Sequence, residues 1–560
     1  MDILQTELRD VPERQRSVRT SFDYSWRRLE EAEQAVFARL SIFRGGFTRA
    51  AAQEVTGATL RGLSRLVDKS LIRFDKQRGR FAVHELLRQY GADKLDQQSE
   101  LKADTYDRHS RYYCQLLAGY TDDLKGPGQA QALSALEADF ENVRLAWNHA
   151  STQQDFEAIG MAIEAMWRYY WNFGRREVSE FEKAVADLRI SQAVEARDIV
   201  LGRLLAPLGR FYGEAGDRAK ARKLLEESLD LLQHQEASEE RLMPLLFLAE
   251  AQGSIKESNR LYQEGLALAR AIGDQWAIGH ALIYLAWNSR ATGDYQEAEQ
   301  QGHEALKQFR QNGDKGGIAF SLVMLSMLAV DRGRYEDALA LAQESRSVTQ
   351  GFNPLFHSQG LIPLGYALFA LGKYAEAEEQ FQQSLTLARE VGREVWARDM
   401  LFWLGAIAFY MGDYARAAQH YQESLAGAVE IDNFDSIVQN HCALGRLDVA
   451  QGRFVGARKH FHNALQTALP LSQPPLILDC LTGITELFAK EGDLAYAALL
   501  AIFITGHPAS RAKITERVVH LLARIEADLS SNALDAVRQR SRTLDLDSVA
   551  AQLLLDLEMP

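Results

Sequence analysis

Eight glycines recur at nearly constant intervals along the chain. The spacings between them are 37, 40, 40, 39, 40, 40 and 40 residues. The glycines are Gly216, Gly253, Gly293, Gly333, Gly372, Gly412, Gly452 and Gly492. A period this regular, repeated over about half of the 560 residues, predicts an array of similar structural units. Because one unit of this length cannot bury a core alone, neighbouring units have to stack.

The residues around each glycine define the unit. Apolar pairs such as Leu282 and Leu285 precede the glycine by eleven and eight positions. Five glycines are followed two positions later by an aromatic residue: Tyr295, Tyr335, Tyr374, Tyr414 and Phe454. Seven are followed five positions later by alanine: Ala221, Ala298, Ala338, Ala377, Ala417, Ala457 and Ala497. Glycine ends one helix and alanine lets two antiparallel helices approach closely, so each unit is predicted to be a helical hairpin.

This pattern resembles the tetratricopeptide repeat. Small residues stand seven positions before the glycine: Ala286, Ser326, Gly365, Gly405 and Gly445. A second stop signal follows about twenty residues after it: Gly273, Gly313, Gly392 and Asn433. The resemblance implies an all-α fold, a right-handed superhelical tetratricopeptide-like solenoid, with hairpins of ~40 residues instead of the usual ~34. We expect residues 196–510 to form the repeats and residues 511–560 to form C-terminal capping helices.

In tetratricopeptide arrays the first helix of each hairpin lines a concave groove. Carrying the groove positions over residue by residue predicts a ligand-binding wall made of His280, Ile283, Trp287, Phe320, Met327, Ile362, Tyr366, Phe369, Phe402 and Phe409. This wall is mostly aromatic and apolar, which favours a protein, a peptide or a small-molecule effector as ligand. The competing interpretation is that these residues pack between successive hairpins, because an aromatic stripe at helical spacing often belongs to a core.

The N-terminal part follows a different pattern. Residues 13–94 carry 17 Lys and Arg against 10 Asp and Glu, whereas the whole chain has a net charge of −13. An amphipathic helix, SVRTSFDYSWRRL, and three further helical segments are followed by LIRFDKQRGRFAVH, which predicts a β-hairpin. Helix, helix, helix, hairpin is the order of a winged helix. We therefore expect a winged-helix domain with its lead-in at residues 1–96, and a helical connecting segment with degenerate repeats at residues 97–195.

Three stretches carry a second resemblance: SVRTSFDYSWRRLEEAEQAVFARLSIFRGGFTRAAAQEV, LSRLVDKSLI and VHELLRQYGADKL. They are similar to the winged-helix domain of bacterial signal-transduction ATPases with numerous domains (STAND), regulators that couple a nucleotide switch to a repeat sensor. The resemblance implies that Val83, His84 and Glu85 occupy a Met-His-Asp motif, whose histidine senses bound ADP. No GxxxxGK[ST] phosphate loop occurs in the sequence. We therefore expect no cofactor for this chain, and ATP or ADP only beside a separate nucleotide-binding ATPase domain at the winged helix.

The basic N-terminal part, residues 13–94, which we call the head, also permits contact with DNA or with an acidic partner. Arg61, Arg65 and Lys69 are spaced four residues apart and would share one helix face. Lys76, Arg78 and Arg80 add a second basic group in the hairpin. In the resembled family this domain is generally a packing element, so DNA contact is the less favoured interpretation.

Several kinds of chemistry find no support in the sequence. There is no HExxH or GxSxG motif, and Cys114, Cys442 and Cys480 form no CxxC pair, so we expect free, buried thiols, no metal site and no enzymatic activity. No apolar run is long enough for a membrane span, and the charged N-terminus lacks the core of a signal peptide, which predicts a cytoplasmic protein.

Three hypotheses follow. The first is a non-catalytic interaction and sensor module of a signal-transduction regulator, whose solenoid binds a partner and relays the event to the winged helix. The second is a DNA-binding transcriptional regulator. The third is the remnant of a nucleotide switch that retains only its scaffold.

Overall fold

The computed structural model describes residues 13–173, 178–192, 194–233, 238–350, 354–390 and 394–558. The chain divides into two compact units. Unit 1 contains Met1–Leu208 together with Asp230–Gln235, and unit 2 contains Gly209–Leu229 together with Glu236–Pro560. The boundary passes through two helices, at Leu208–Gly209 and at Leu229–Asp230. The predicted domain limits are not tested by this division and remain predictions.

Unit 1 begins with the predicted order of helices and hairpin. Its first elements are α1 (Glu13–Arg27), α2 (Glu31–Leu40), α3 (Arg49–Thr56), α4 (Leu60–Asp68), β1 (Arg73–Asp75), β2 (Arg80–Ala82) and α5 (Glu85–Asp96). Thr48 and Thr59 cap α3 and α4 by accepting hydrogen bonds from backbone N–H groups of the first turn. β1 and β2 pair antiparallel, and Phe47 forms an additional bridge to Phe81.

Five further helices complete most of unit 1: α6 (Ser99–Gly119), α7 (Thr121–Lys125), α8 (Gln129–Gln153), α9 (Phe156–Phe173) and α10 (Ser179–Arg189). α8 contacts the basic head through two polar side chains. The buried Asn142 amide donates to the carbonyls of Arg44 and Gly46, each at 3.0 Å. Asp139 accepts from the Arg80 guanidinium at 2.9 and 2.5 Å. Head and connecting segment therefore belong to one packed body.

His109 lies at this junction, between the head and α8. Its ring is buried between Phe43 and Tyr113, and burial lowers its pKa from 6.5 to about 3. Below pH 6.5 the His109 imidazole takes up a proton in the unfolded chain but stays neutral in the folded chain. We therefore expect the unfolding free energy of unit 1 to fall by up to about 1.4 kcal/mol per pH unit below pH 6.5.

Urea unfolding between pH 7 and 4.5 tests this prediction. A His109→Gln variant should be less stable than the wild type at pH 7, but should lose most of the extra slope below pH 6.5. Parallel stability curves for the two proteins would contradict the assignment of the acid sensitivity to His109.

Helical hairpins dominate unit 2. In chain order, and including the hairpin that the unit boundary crosses, the pairs are α11 (Glu195–Glu214) with α12 (Arg218–Leu232), α13 (Leu242–Glu250) with α14 (Ile255–Ile272), α15 (Gln275–Thr292) with α16 (Tyr295–Asn312), α17 (Lys315–Asp331) with α18 (Tyr335–Thr349), α19 (Pro354–Ala370) with α20 (Tyr374–Glu390), α21 (Glu394–Tyr410) with α22 (Tyr414–Glu430), α23 (Phe434–Ala450) with α24 (Phe454–Ala468), and α25 (Pro474–Glu491) with α26 (Leu494–Gly506). This confirms the predicted all-α solenoid of ~40-residue hairpins.

The repeat residues act as the pattern predicted. Gly293 and Gly372, for example, lie at the turn between two helices with φ values of +87° and +76°, which glycine adopts without strain. A Cβ atom at Gly365 would lie 2.8 Å from the Phe381 ring, and one at Gly445 would lie 2.7 Å from the Phe461 ring. Glycine therefore sets the close approach of the two helices in these hairpins.

Two repeat positions depart from the pattern. Gly253 does not have the positive φ of the other seven turn glycines. At the stop signal EIDN, Asp432 has the positive φ of 51°, and Asn433 instead caps the next helix by accepting from the Ser436 N–H. Gly392, a third predicted stop residue, lies outside the described residues.

Three helices follow the hairpins: α27 (Ala512–Asp528), α28 (Ser531–Ser541) and α29 (Leu546–Glu558). α27 packs against α25 and α26, α28 against α26, and α29 against α24. They cover the end of the solenoid, as expected of terminal helices. α27 also contacts α17, in the fourth hairpin. The segment that enters α27 therefore reaches back to the middle of the array.

Candidate interaction surface

All ten predicted wall residues lie on the first helices of the third to sixth hairpins, α15, α17, α19 and α21. We call the half-buried face of these four helices the inner wall. Eight of the ten residues are half-buried: Trp287, Phe320, Met327, Ile362, Tyr366, Phe369, Phe402 and Phe409. A half-buried aromatic side chain packs against its own hairpin and still presents part of its ring to a ligand.

Aromatic rings of the inner wall contact one another between α15 and α17 and between α19 and α21. Trp287 of α15 lies 6.0 Å from Phe320 of α17, measured between ring centroids. Trp403 of α21 lies 4.7 Å from Tyr366 and 5.4 Å from Phe369, both on α19. Trp403 is itself half-buried. It belongs to the inner wall, although the predicted set did not include it.

Two of the ten residues are too buried to contact a ligand directly, and the prediction is corrected for them. Ile283 is 1% exposed and His280 is 6% exposed. The His280 Nε2 lies 2.8 Å from a Glu250 carboxylate oxygen, and the Arg210 guanidinium lies 3.3 Å from the same carboxylate group. His280 therefore completes a buried charge network below the inner wall.

Trp287 has an unused polar atom. Its indole Nε1 is buried and has no hydrogen-bond partner among the described residues. The Arg290 guanidinium lies 5.5 Å from the centre of its ring. A buried indole N–H without an acceptor costs free energy.

Asp331 lies at the C-terminal end of α17 and is contacted by three side chains, two of which are positively charged. Its carboxylate is 1% exposed and lies 2.6 Å from Arg290 Nε. The Tyr366 hydroxyl donates to it at 3.4 Å, and Arg511 Nε lies 3.6 Å away. Arg511 comes from the segment that enters α27, so a residue of the C-terminal region occupies a half-buried position at the edge of the inner wall.

Residues 508–517, which we call the docked segment, touch this edge at further points. The Tyr295 hydroxyl donates to the Ala509 carbonyl at 2.8 Å. Lys513 Nζ lies 4.5 Å from the centre of the Tyr335 ring, and the Tyr335 hydroxyl donates to Glu516. These contacts join the docked segment to the third and fourth hairpins.

Arg517, the last residue of the docked segment, lies near an acidic residue of α25. Its guanidinium donates to the Tyr410 hydroxyl of α21 and lies 3.9 Å from the Glu486 carboxylate of α25. Glu486 also contacts Arg446 at 3.2 Å. The docked segment thus crosses from the third hairpin to the sixth, with one arginine near each end.

An open cleft of about 830 Å³ lies beside the docked segment. One side is formed by the turn of the third hairpin, including Asp294 and Glu297, and the other by residues of the docked segment, including Pro508 and Thr515. The docked segment therefore forms one wall of the cleft and covers part of the hairpin surface behind it.

His84 of the head is exposed at the N-terminus of α5. Its Nδ1 accepts a hydrogen bond from the Leu86 N–H at 3.4 Å, which makes it the cap of that helix. Glu85 beside it forms an ion pair with Arg88 at 2.7 Å, and this contact lowers the Glu85 pKa to about 2. The ring of His84 is open to contact from outside unit 1.

The predicted basic patch is only partly free. Within the patch, Arg61, Lys69, Lys76 and Arg78 are exposed. Four of the six residues have acidic partners within unit 1. Lys69 Nζ lies 2.6 Å from Glu33, Arg65 lies 3.7 Å from the same residue, Arg78 lies 4.0 Å from Asp75, and Arg80 forms its ion pair with Asp139. Because these partners neutralise part of the predicted positive face, the patch is weaker than the sequence indicated.

The thiols are free and buried, as predicted. Cys442 and Cys480 lie on adjacent hairpins with their sulfurs 2.9 Å apart, a proximity that their sequence separation did not indicate. Burial raises the pKa of Cys442 well above its usual range, so the reactive thiolate is disfavoured.

Comparison with known proteins agrees with this architecture. The tetratricopeptide repeat family model matches residues 278–350 and 359–428, which contain the inner wall. Relatives from Mycobacterium tuberculosis and Mycobacterium bovis, named as HTH-type transcriptional regulators, are 32% identical over 212 residues, or 34% of this chain and 23% of each relative. The chain thus matches about a quarter of the length of these relatives.

Two solved structures are similar to parts of this chain. A STAND protein with a tetratricopeptide repeat sensor from Pyrococcus horikoshii is 16% identical, with 80% of this chain and 64% of that chain covered and a TM-score of 0.48. A Rap protein complexed with Competence and Sporulation Factor is 13% identical, with 71% and 99% covered and a TM-score of 0.46. Among the described residues of this chain, no helix has the length and apolar character needed to span a membrane.

Proposed function

We propose that this chain is a non-catalytic interaction and sensor module, in which the inner wall binds a protein, peptide or small ligand and the event is relayed to the winged-helix head. The observation that carries the proposal is the row of half-buried aromatic residues from Trp287 to Phe409 on four successive helices. The matched tetratricopeptide repeats support it, since such repeats bind partners on the surface formed by their first helices.

Affinity capture from the source cell, with this chain as bait, tests the proposal. The wild type, a Trp287→Ala variant and a Tyr366→Ala variant are compared with an Arg61→Glu, Arg65→Glu variant of the head. A partner that depends on the inner wall should be lost with either aromatic substitution and retained by the head variant. Retention by both aromatic variants would contradict the proposed surface.

DNA binding by the head is the second candidate function. It is favoured by the exposed Arg61, Lys76 and Arg78 and by the names of the mycobacterial relatives. Binding of this kind should weaken steeply with salt, because phosphate contacts release counterions. Since Arg65 already contacts Glu33, we expect Arg61→Gln to reduce DNA affinity more than Arg65→Gln does. Salt-independent binding would argue against the DNA proposal.

His84 remains a proposed nucleotide sensor, effective only beside a nucleotide-binding domain. Its exposure at the start of α5 is compatible with contact to a bound phosphate. Release of an ATPase partner or its nucleotide on His84→Ala substitution, but not on Glu54→Ala substitution elsewhere in the head, would support this role. Equal behaviour of the two variants would make His84 a helix cap alone.

A further inference from the structure

The docked segment has the composition of a ligand for the surface that it covers. Residues 508–517 read PASRAKITER, with three basic residues and one acidic residue. The two arginines contact the acidic residues Asp331 and Glu486. The residues of the docked segment that face the hairpin turns are small alanines, which pack closely against turn glycines. A Cβ atom added at Gly293 would lie 2.4 Å from Ala509 Cβ, and one added at Gly333 would lie 3.1 Å from Ala512 Cβ. Charge and shape both match the surface.

The polar contacts of Arg511 at Asp331 are incomplete. Arg511 Nε and Asp331 Oδ2 are both buried, yet neither has a hydrogen bond of good geometry among the described residues. Arg511 Nε lies 3.6 Å from Asp331 Oδ1, which is longer than the 2.6 Å between Arg290 Nε and Asp331 Oδ2. A guanidinium able to approach Asp331 more closely would gain charge-assisted hydrogen bonds that Arg511 does not make.

We propose that residues 508–517 are a built-in competitor for the inner wall, and that the external ligand is a peptide segment whose arginine replaces Arg511 on Asp331. The proposal rests on the proposed function and specifies its ligand class. Binding of that ligand requires the docked segment to leave the edge of the inner wall. The affinity of the ligand is reduced by the fraction of molecules in which the docked segment is bound.

The test uses a labelled synthetic peptide with the sequence of residues 507–520, titrated by fluorescence anisotropy against the full chain. The first protein is the wild type. The second carries Arg511→Glu and Arg517→Glu, which repel the docked segment from Asp331 and Glu486. We expect the peptide to bind the variant about tenfold or more tightly than the wild type. Adding Asp331→Asn to the variant should remove that gain, and a peptide with both arginines replaced by glutamine should not bind.

Equal affinity of the peptide for the wild type and the variant would overturn the proposal. Peptide binding that is unchanged by Asp331→Asn would also overturn it. Circular dichroism shows whether the variant is folded. If it is not, an Arg511→Gln variant replaces it, for which tighter peptide binding than wild type is again expected and unchanged binding again overturns the proposal. If Tyr366→Ala abolishes binding of the captured partner but the peptide does not compete with that partner, the inner wall is functional and only the role of the docked segment as competitor is rejected. If the peptide competes with a partner whose binding is unchanged by Tyr366→Ala, the proposed function is rejected instead.

Discussion

Replacing Asp331 by alanine is expected to lower the unfolding free energy of unit 2 by about 3 kcal/mol. The substitution leaves Arg290 and Arg511 without their carboxylate, with the two side chains only 12% and 19% exposed. Buried guanidinium groups without a counter-charge are costly, and the least costly relief is release of Arg511 into water. We therefore also expect residues 508–517 to become sensitive to proteases.

Urea unfolding and limited trypsin digestion measure the two effects. Asp337→Ala is the matched control, because Asp337 is exposed on the neighbouring helix α18 and should change stability by less than about 0.5 kcal/mol. An Asp331→Ala protein as stable and as protease-resistant as this control would mean that the Asp331 cluster does not hold the docked segment.

Replacing Phe461 by alanine is expected to lower stability by about 3–5 kcal/mol. Phe461 lies on α24, is fully buried, and fills the space left by Gly445 on α23 and Gly483 on α25. Truncation would leave a cavity between the seventh and eighth hairpins that glycines on both sides cannot fill. Because each hairpin depends mainly on its neighbours, the loss should be concentrated in these two hairpins.

Urea unfolding with hydrogen exchange of α23 to α26 tests this prediction. Phe434→Ala is the matched control, since Phe434 begins α23 and is 44% exposed. It should cost much less than Phe461→Ala. Similar losses for the two variants, or a loss spread evenly over the third to eighth hairpins, would contradict the packing role of Phe461.

The hairpins could be predicted because their determinants are local and repeated. Gly365 and Gly445 contact rings sixteen residues further along the chain, a distance set by one helix and one turn. The same interaction recurs with each period, so the spacing alone revealed it. The helices and hairpin of the head were also predictable, from short helical segments followed by two strands around the polar turn of LIRFDKQRGRFAVH.

The candidate site was predictable only in part. The wall positions followed from the repeat, but the burial of His280 depends on Glu250 of another hairpin. The contact between Tyr295 and Ala509 spans 214 residues, and no period of the sequence encodes it. Asp331 was visible as an acidic residue at the end of an apolar helix, which is the only sequence signal for the cluster around it.

Hydrogen exchange of the full chain, followed by mass spectrometry, tests most directly that the inner wall is the binding surface and that residues 508–517 compete for it. In the wild type, residues 509–517 should exchange slowly. In the Arg511→Glu, Arg517→Glu variant they should exchange rapidly, and added 507–520 peptide should then slow exchange at the C-terminal ends of α15, α17 and α21. Rapid exchange of residues 509–517 in the wild type, or peptide-induced protection confined to other helices, would contradict the account.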